Sequence, residues 1–221
     1  MPLAGKGMLL TSMDIDVADE AEFNRWYDSE HLEERVAIEG FLEARRYVAH
    51  KASPKYLCLY STKTIEVLDS PAYRARLDSP TEWSKKNMAR FKNMIRAVAR
   101  ITHSRGNGRG AVLGIVRLRP QVGSEAALRA EVKAKLDPAD LDGIISMHLI
   151  ESDPVLSGPT NEIPSTAGAG DLFVLIDGTS ASAISATLAA RFSAGPAHAA
   201  QVSSGIYGLM WDLAKSDIAH T

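Results

Sequence analysis

A spacing of 103 residues, met twice, constrains this chain more than its composition does. Met8–Ile15 is a short apolar run that reads as a strand, and Ala111–Arg119 reads as another, starting 103 residues later. Phe41–Lys51 and Ile144–Glu151 also read as strands, and their starts again lie 103 apart. Self-similarity at a fixed offset is the mark of a repeated unit, even where identity between the copies is low.

The elements between these strands agree with a repeat. Ala18–Ile38 has helical spacing, and Tyr56–Lys63 is a strand joined to Phe41–Lys51 by the turn Ala52-Ser53-Pro54-Lys55. Ser79-Pro80-Thr81-Glu82 reads as a capping box that opens a helix to about Asn93, with Met94–His103 as the fourth strand. After Gly106-Asn107-Gly108-Arg109-Gly110, a helix capped by Ser124 carries Leu128, Val132 and Leu136 on one face. Ser180–Phe192 carries Ile184, Leu188 and Phe192 in the same way, between strands Leu172–Asp177 and Gly205–Leu213. Each half is β-α-β-β-α-β, the ferredoxin-like order, which puts both helices on one face of a four-stranded antiparallel sheet and leaves the other face bare. The expected fold is therefore α+β: two tandem ferredoxin-like units, residues 1–105 and 106–221, whose sheets pack into an intrachain α+β barrel.

Composition narrows the function classes. The chain is 45% hydrophobic and 24% charged, enough to bury a core, and its net charge of −2 argues against a nucleic-acid binder. One cysteine, Cys58, excludes an intramolecular disulfide and a multi-cysteine zinc site. No stretch approaches the roughly 20 apolar residues of a membrane span, and Met1–Gly7 has no apolar signal core, so a soluble cytoplasmic protein is expected. The halves differ: 10 of the 14 aromatic residues precede residue 106, and the first half carries net charge +2 against −4 in the second. A pocket is expected in the first half.

The helix Phe23-Asn24-Arg25-Trp26-Tyr27-Asp28-Ser29-Glu30-His31 holds the chemistry-bearing residues. At about 100° per residue, Glu30 projects between Trp26 and Tyr27, and His31 lies at the edge of that aromatic arc. A carboxylate among rings loses hydration and must be paired or protonated; Arg45 or Arg46 on the next strand could serve, but alternation lets only one of them point inward. Glu30 then either anchors the helix or acts as a general acid/base that orients His31. His103 and His50, each late in a strand, could reach the same cavity. Asp28 reads as an ordinary solvated charge.

Trp26-Tyr27-Asp28-Ser29-Glu30-His31-Leu32, followed by Gly40-Phe41-Leu42-Glu43-Ala44-Arg45-Arg46-Tyr47, resembles the W-Y-x-x-E-H-L … G-F-x-x-x-R-R-Y pattern of EthD-like proteins of the dimeric α+β barrel superfamily. The resemblance implies a pocket between sheet and helices for a small hydrophobic metabolite. Its catalytic residues would be His31 and Glu30, and Trp26, Tyr27, Arg46, Tyr47 and His103 would contact substrate. It further implies proton-transfer chemistry of the cofactor-free isomerase, cyclase or monooxygenase kind. The alternatives are a non-catalytic module in which the motif pins helix to sheet, and a haem-binding protein. No cofactor and no metal set are indicated, since adjacent Glu30 and His31 point apart on a helix. A small metabolite is the expected partner, with homodimerisation open and neither nucleic acid nor membrane expected. The second half has no W-Y-x-x-E-H and reads as a degenerate copy.

Other signals are weaker. Gly106–Gly110 precedes a strand and reads as a linker. No G-x-S-x-G elbow occurs. The loop Ser152–Gly170 is long enough for a mobile surface segment or a lid.

Overall fold

The computed structural model describes residues 3–160 and 163–218. In the first half, the strands β1 (Gly7–Asp14), β2 (Phe41–Lys51), β3 (Tyr56–Thr62) and β4 (Lys92–Gly106) lie in the order β4-β1-β3-β2. In the second, β5 (Val112–Pro120), β6 (Ile144–Ser152), β7 (Leu172–Gly178) and β8 (Ala199–Ala214) repeat it as β8-β5-β7-β6. The halves join edge to edge as well as face to face. β2 pairs with β8, β4 pairs with β6, and the antiparallel barrel closes. Closure removes the free edges that each isolated sheet would expose.

Alternation sorts the side chains into three cores. Met8, Leu10, Tyr47, Leu57, Phe173 and Leu175 point inward and fill the barrel. On the outer face of the first half, Tyr56, Cys58, Tyr60 and Val98 pack against Phe23, Trp26, Leu32 and Val36. On the second, Val116, Val174 and Ile176 pack against Leu128 and Val132 of α5 (Glu125–Lys135) and Ile184 and Phe192 of α6 (Ala181–Phe192). The expected helix 18–38 divides into α1 (Glu20–Trp26), a π-helical turn (Tyr27–His31) and α2 (Leu32–Val36). Lys215, beyond β8, donates to the carbonyls of Val36, Ala37 and Ile38, so a cation from the second half caps α2.

Sequence periodicity does not reveal α3 (Pro71–Asp78), because Tyr73 is its one buried residue and it carries no apolar stripe. The helix placed after Ser79 is capped instead by Thr81, whose Oγ1 accepts from Ser84 N at 3.0 Å, and α4 (Glu82–Met88) ends well before Asn93. Ser79 closes α3.

The described part of the 152–170 loop is tied to β4. β6 pairs with β4 only from Ala99 onward, leaving the edge before it open. The loop covers that edge: Val98 N donates to Ser157 Oγ at 2.9 Å, Asp153 N to Val98 O at 2.8 Å, and Arg96 N to Ala167 O at 2.9 Å.

In the second half, helix and sheet approach more closely. A Cβ on Gly114 would lie 2.6 Å from Ile184 Cγ2, and one on Gly178 2.7 Å from Ile184 Cδ1. Gly114→Ala is therefore expected to cost about 1–3 kcal/mol in denaturant unfolding, as overpacked cores do. Gly195→Ala, with nothing within 4 Å of the new methyl, should unfold like the parent chain.

Candidate functional site

A hollow lies between the outer face of the first sheet and the helices above it. β1 supplies Thr11, β3 Tyr60 and β4 Arg96, while the π turn and α2 supply Tyr27, His31 and Arg35. Leu9, Met13, Met88 and Phe91 make its walls apolar, and Thr160 and Ile163 of the 152–170 loop complete the lining. The space between atoms is about 540 Å³ including the open mouth, of which about 40 Å³ is wide enough for the centre of a water molecule.

The π turn decides which side chain enters. It advances less per residue than an α-helix and often marks functional positions. Each residue after Tyr27 therefore lags the α-helical wheel, which swings His31 from the edge toward the middle of the aromatic arc and turns Glu30 away. The His31 ring lies against Trp26 at 4.2 Å between centroids and edge-on to Tyr27 at 5.0 Å. Trp26 Nε1 in turn donates to Ser84 Oγ at 3.2 Å.

Three buried polar atoms of lining residues have no hydrogen-bond partner, Thr11 Oγ1, His31 Nδ1 and Arg35 Nη1, while the Tyr60 phenol interacts with that of Tyr27. Unpaired polar groups of this kind are rare in folded chains and call for an explanation. Burial, with the nearby Arg35 and Arg46 guanidinium groups, pushes the His31 pKa well below the usual histidine range. The imidazole is thus neutral at neutral pH, and Nδ1 is open as a proton acceptor. Burial holds the Tyr27 and Tyr60 phenols well above their usual range, and the Cys58 thiol at about 11.

The other expected site residues are dispersed. Glu30 accepts from Thr81 Oγ1 at 2.7 Å and Ser84 Oγ at 3.4 Å, so it fastens the π turn to the start of α4 and makes no bond to His31. Arg46 does not pair with Glu30. It is fully buried, donates to Asp28 Oδ1 at 2.6 Å and Asn24 Oδ1 at 2.5 Å, and places its guanidinium carbon 4.4 Å from the Tyr27 ring centre. Asp28, expected to be merely solvated, also accepts from Trp211 Nε1 at 2.9 Å, bridging the two halves. Arg45 points the other way, into the barrel, where it pairs with Glu43. Tyr47 shares that inward face and cannot reach the hollow. His103 stands far along β4, opposite Leu149 and near Lys133 and His148.

Thr11, Arg35, Tyr60 and Arg96 are among the lining residues that escape the sequence reading. Arg35 follows His31 by four residues and was within reach of helical spacing. The other three come from strands whose convergence only the topology supplies. The haem alternative finds no open histidine in either layer: Trp26 covers one face of His31, and the corresponding space in the second half is packed with Ile184, Leu128 and Phe192. Among the described residues, no three His, Cys, Asp or Glu side chains cluster to hold a metal, and no helix is long and apolar enough to cross a membrane.

Neither protein-family models nor curated protein sequences match the chain. Solved structures do. An anthrone oxidase-like protein shares 12% identity at a TM-score of 0.67, over 98% of this chain and 96% of its own. A candidate monooxygenase from Fusobacterium nucleatum shares 6% at 0.59, over 96% of each chain. A variant of chlorite dismutase from Candidatus Nitrospira defluvii shares 9% at 0.55, over 93% and 91%. The likeness is one of fold, and the chain has the architecture of the dimeric α+β barrel proteins.

The state of His31 has a measurable consequence. Its folded pKa lies below its unfolded value of about 6.5, so the unfolded chain takes up the proton first as the pH falls. The resulting penalty is absent above about pH 6.5, grows below it, and levels off below the folded pKa. Denaturant unfolding at about pH 7.5 and about pH 5.5 should show this loss, and His31→Phe should reduce it.

Proposed function

We propose that the hollow binds a small, largely apolar aromatic molecule and that His31 Nδ1 removes a proton from it. The observation that carries this reading is a neutral, buried imidazole with an unpartnered nitrogen, on a residue that lines the cavity. With its proton on Nε2, the ring accepts at Nδ1. A C–H beside an aryl carbonyl is a suitable donor: the proton passes to His31, the electron pair moves into the enolate, and the Tyr60 phenol and Arg35 stand where the enolate oxygen develops charge. Isomerisation, ring closure and cofactor-free oxygenation all begin with this step. Apolar walls exclude water, which strengthens each of these polar contacts.

Glu30 is a positioning residue in this scheme. It holds Ser84, Ser84 holds Trp26, and Trp26 lies on His31. A non-catalytic reading, in which the motif only pins helix to sheet, draws on the same contacts and on the narrowness of the inner space.

Anthrone, the ketone in the name of the anthrone oxidase-like structural neighbour, is the probe that separates the two. Solvent deuterium should enter its methylene position faster with the protein present. His31→Ala should lower that rate by about 10²–10⁴-fold while the chain stays folded. Glu30→Gln should retain most of the rate with a displaced pH profile. Undiminished exchange in folded His31→Ala would remove the histidine from the chemistry, and no acceleration by the parent chain would favour the non-catalytic reading.

A further inference from the structure

We propose that the hollow beside His31 is an anion site: its ligand carries a carboxylate, or an oxygen ionised to a similar degree, held by Arg35 and Arg96. This rests on the reading of the hollow as the binding site and adds to it the charge of what binds.

The argument comes from how the chain treats its buried arginines. Arg35, Arg45, Arg46, Arg96 and Arg117 are each at most 7% exposed. Arg45 pairs with Glu43, Arg46 with Asp28 and Arg117 with Asp171. Among the described residues, Arg35 and Arg96 have no carboxylate partner, and these are the two that line the hollow. Arg96 Nη1 donates to carbonyl oxygens, Leu156 O at 2.7 Å and Gly158 O at 3.5 Å, which do not neutralise it. Arg35 Nη1 has no acceptor at all. A buried charge without a counter-charge is costly, so two such charges at one cavity point to a counter-charge brought from outside.

The remaining groups fit the same ligand. The unpartnered hydroxyl of Thr11 can donate to it, and a guanidinium suits the geometry of a carboxylate. Leu9, Met13, Met88 and Phe91 favour an aryl or alkyl carboxylate over an inorganic anion. Binding also bears on the histidine. Arg35 and Arg46 help to keep His31 neutral, and an anion beside them offsets part of their effect. The bound ligand therefore makes His31 a stronger base than it is in the empty site.

Calorimetric titration of the full chain with benzoate, its neutral isostere benzamide and inorganic phosphate tests this. Benzoate should bind at one site at least about tenfold more tightly than either of the others. Arg35→Gln should weaken benzoate by about tenfold or more, and Arg35→Lys by less. Because Arg35 has no ion pair to lose, Arg35→Gln and Arg35→Met should melt no lower than the parent chain without ligand. Benzoate should raise the His31 pKa measured by NMR. Equal affinity for benzamide, unchanged benzoate affinity in both Arg35 variants, or a lower melting temperature in both would overturn the proposal. His31→Ala should still bind benzoate. Loss of the anion preference with His31-dependent exchange intact therefore sinks this inference alone, whereas benzoate binding without His31-dependent exchange sinks the proton-transfer reading alone.

Discussion

Two seams of backbone hydrogen bonds, β2 to β8 and β4 to β6, govern the rest of the molecule. They turn two half-covered sheets into one closed wall, whose interior is filled by packed side chains and the Arg45–Glu43 pair. Tyr47, Phe173 and Tyr207 occupy it together with aliphatic side chains. Chemistry is thereby displaced outward, to the layer between sheet and helices. There, Tyr27 and His31 of a π turn line a hollow over Thr11, Tyr60 and Arg96.

The second half is built differently in the same layer. α5 is a plain α-helix, and Ile184 of α6 comes down on Gly114 and Gly178. At the 103-residue offset, Gly114 stands where the first half has Thr11. Across the strand pair, Ile206 faces Gly114 as Arg96 faces Thr11. Polar lining in one half corresponds to close apolar packing in the other. The second half nevertheless acts on the first through Trp211, which holds Asp28, and Lys215, which caps α2.

The repeat, the strand order within each half and the bounds of Phe41–Lys51 were legible because they depend on spacing and alternation, which the backbone obeys closely. Alternation also placed Arg45 and Arg46 on opposite faces correctly. It could not say that Arg46 would meet Asp28, which depends on how the helix docks on the sheet, whereas Glu43, two residues from Arg45 on the same face of β2, was within its reach. Tyr27 and His31, candidates from the sequence, both line the hollow. The roles of Glu30 and His31 on the arc were exchanged because an even 100° wheel has no place for a π turn, and no Gly or Pro announces one here. Tyr47 and His103 lie away from the hollow for different reasons: Tyr47 faces the inside of the closed wall, whereas His103 stands too far along β4, beside Leu149 and α5 of the second half.

Joining the halves in one polypeptide has a consequence beyond stability. A two-fold homodimer must show every side chain twice, so a change that tightens one pocket tightens its twin. Here the covalent link at Gly106–Gly110, fastened by Arg109 to Glu43 and Asp212, frees each copy from that obligation. One copy can keep an uncomfortable, charge-bearing cavity while its sibling becomes a dense buttress.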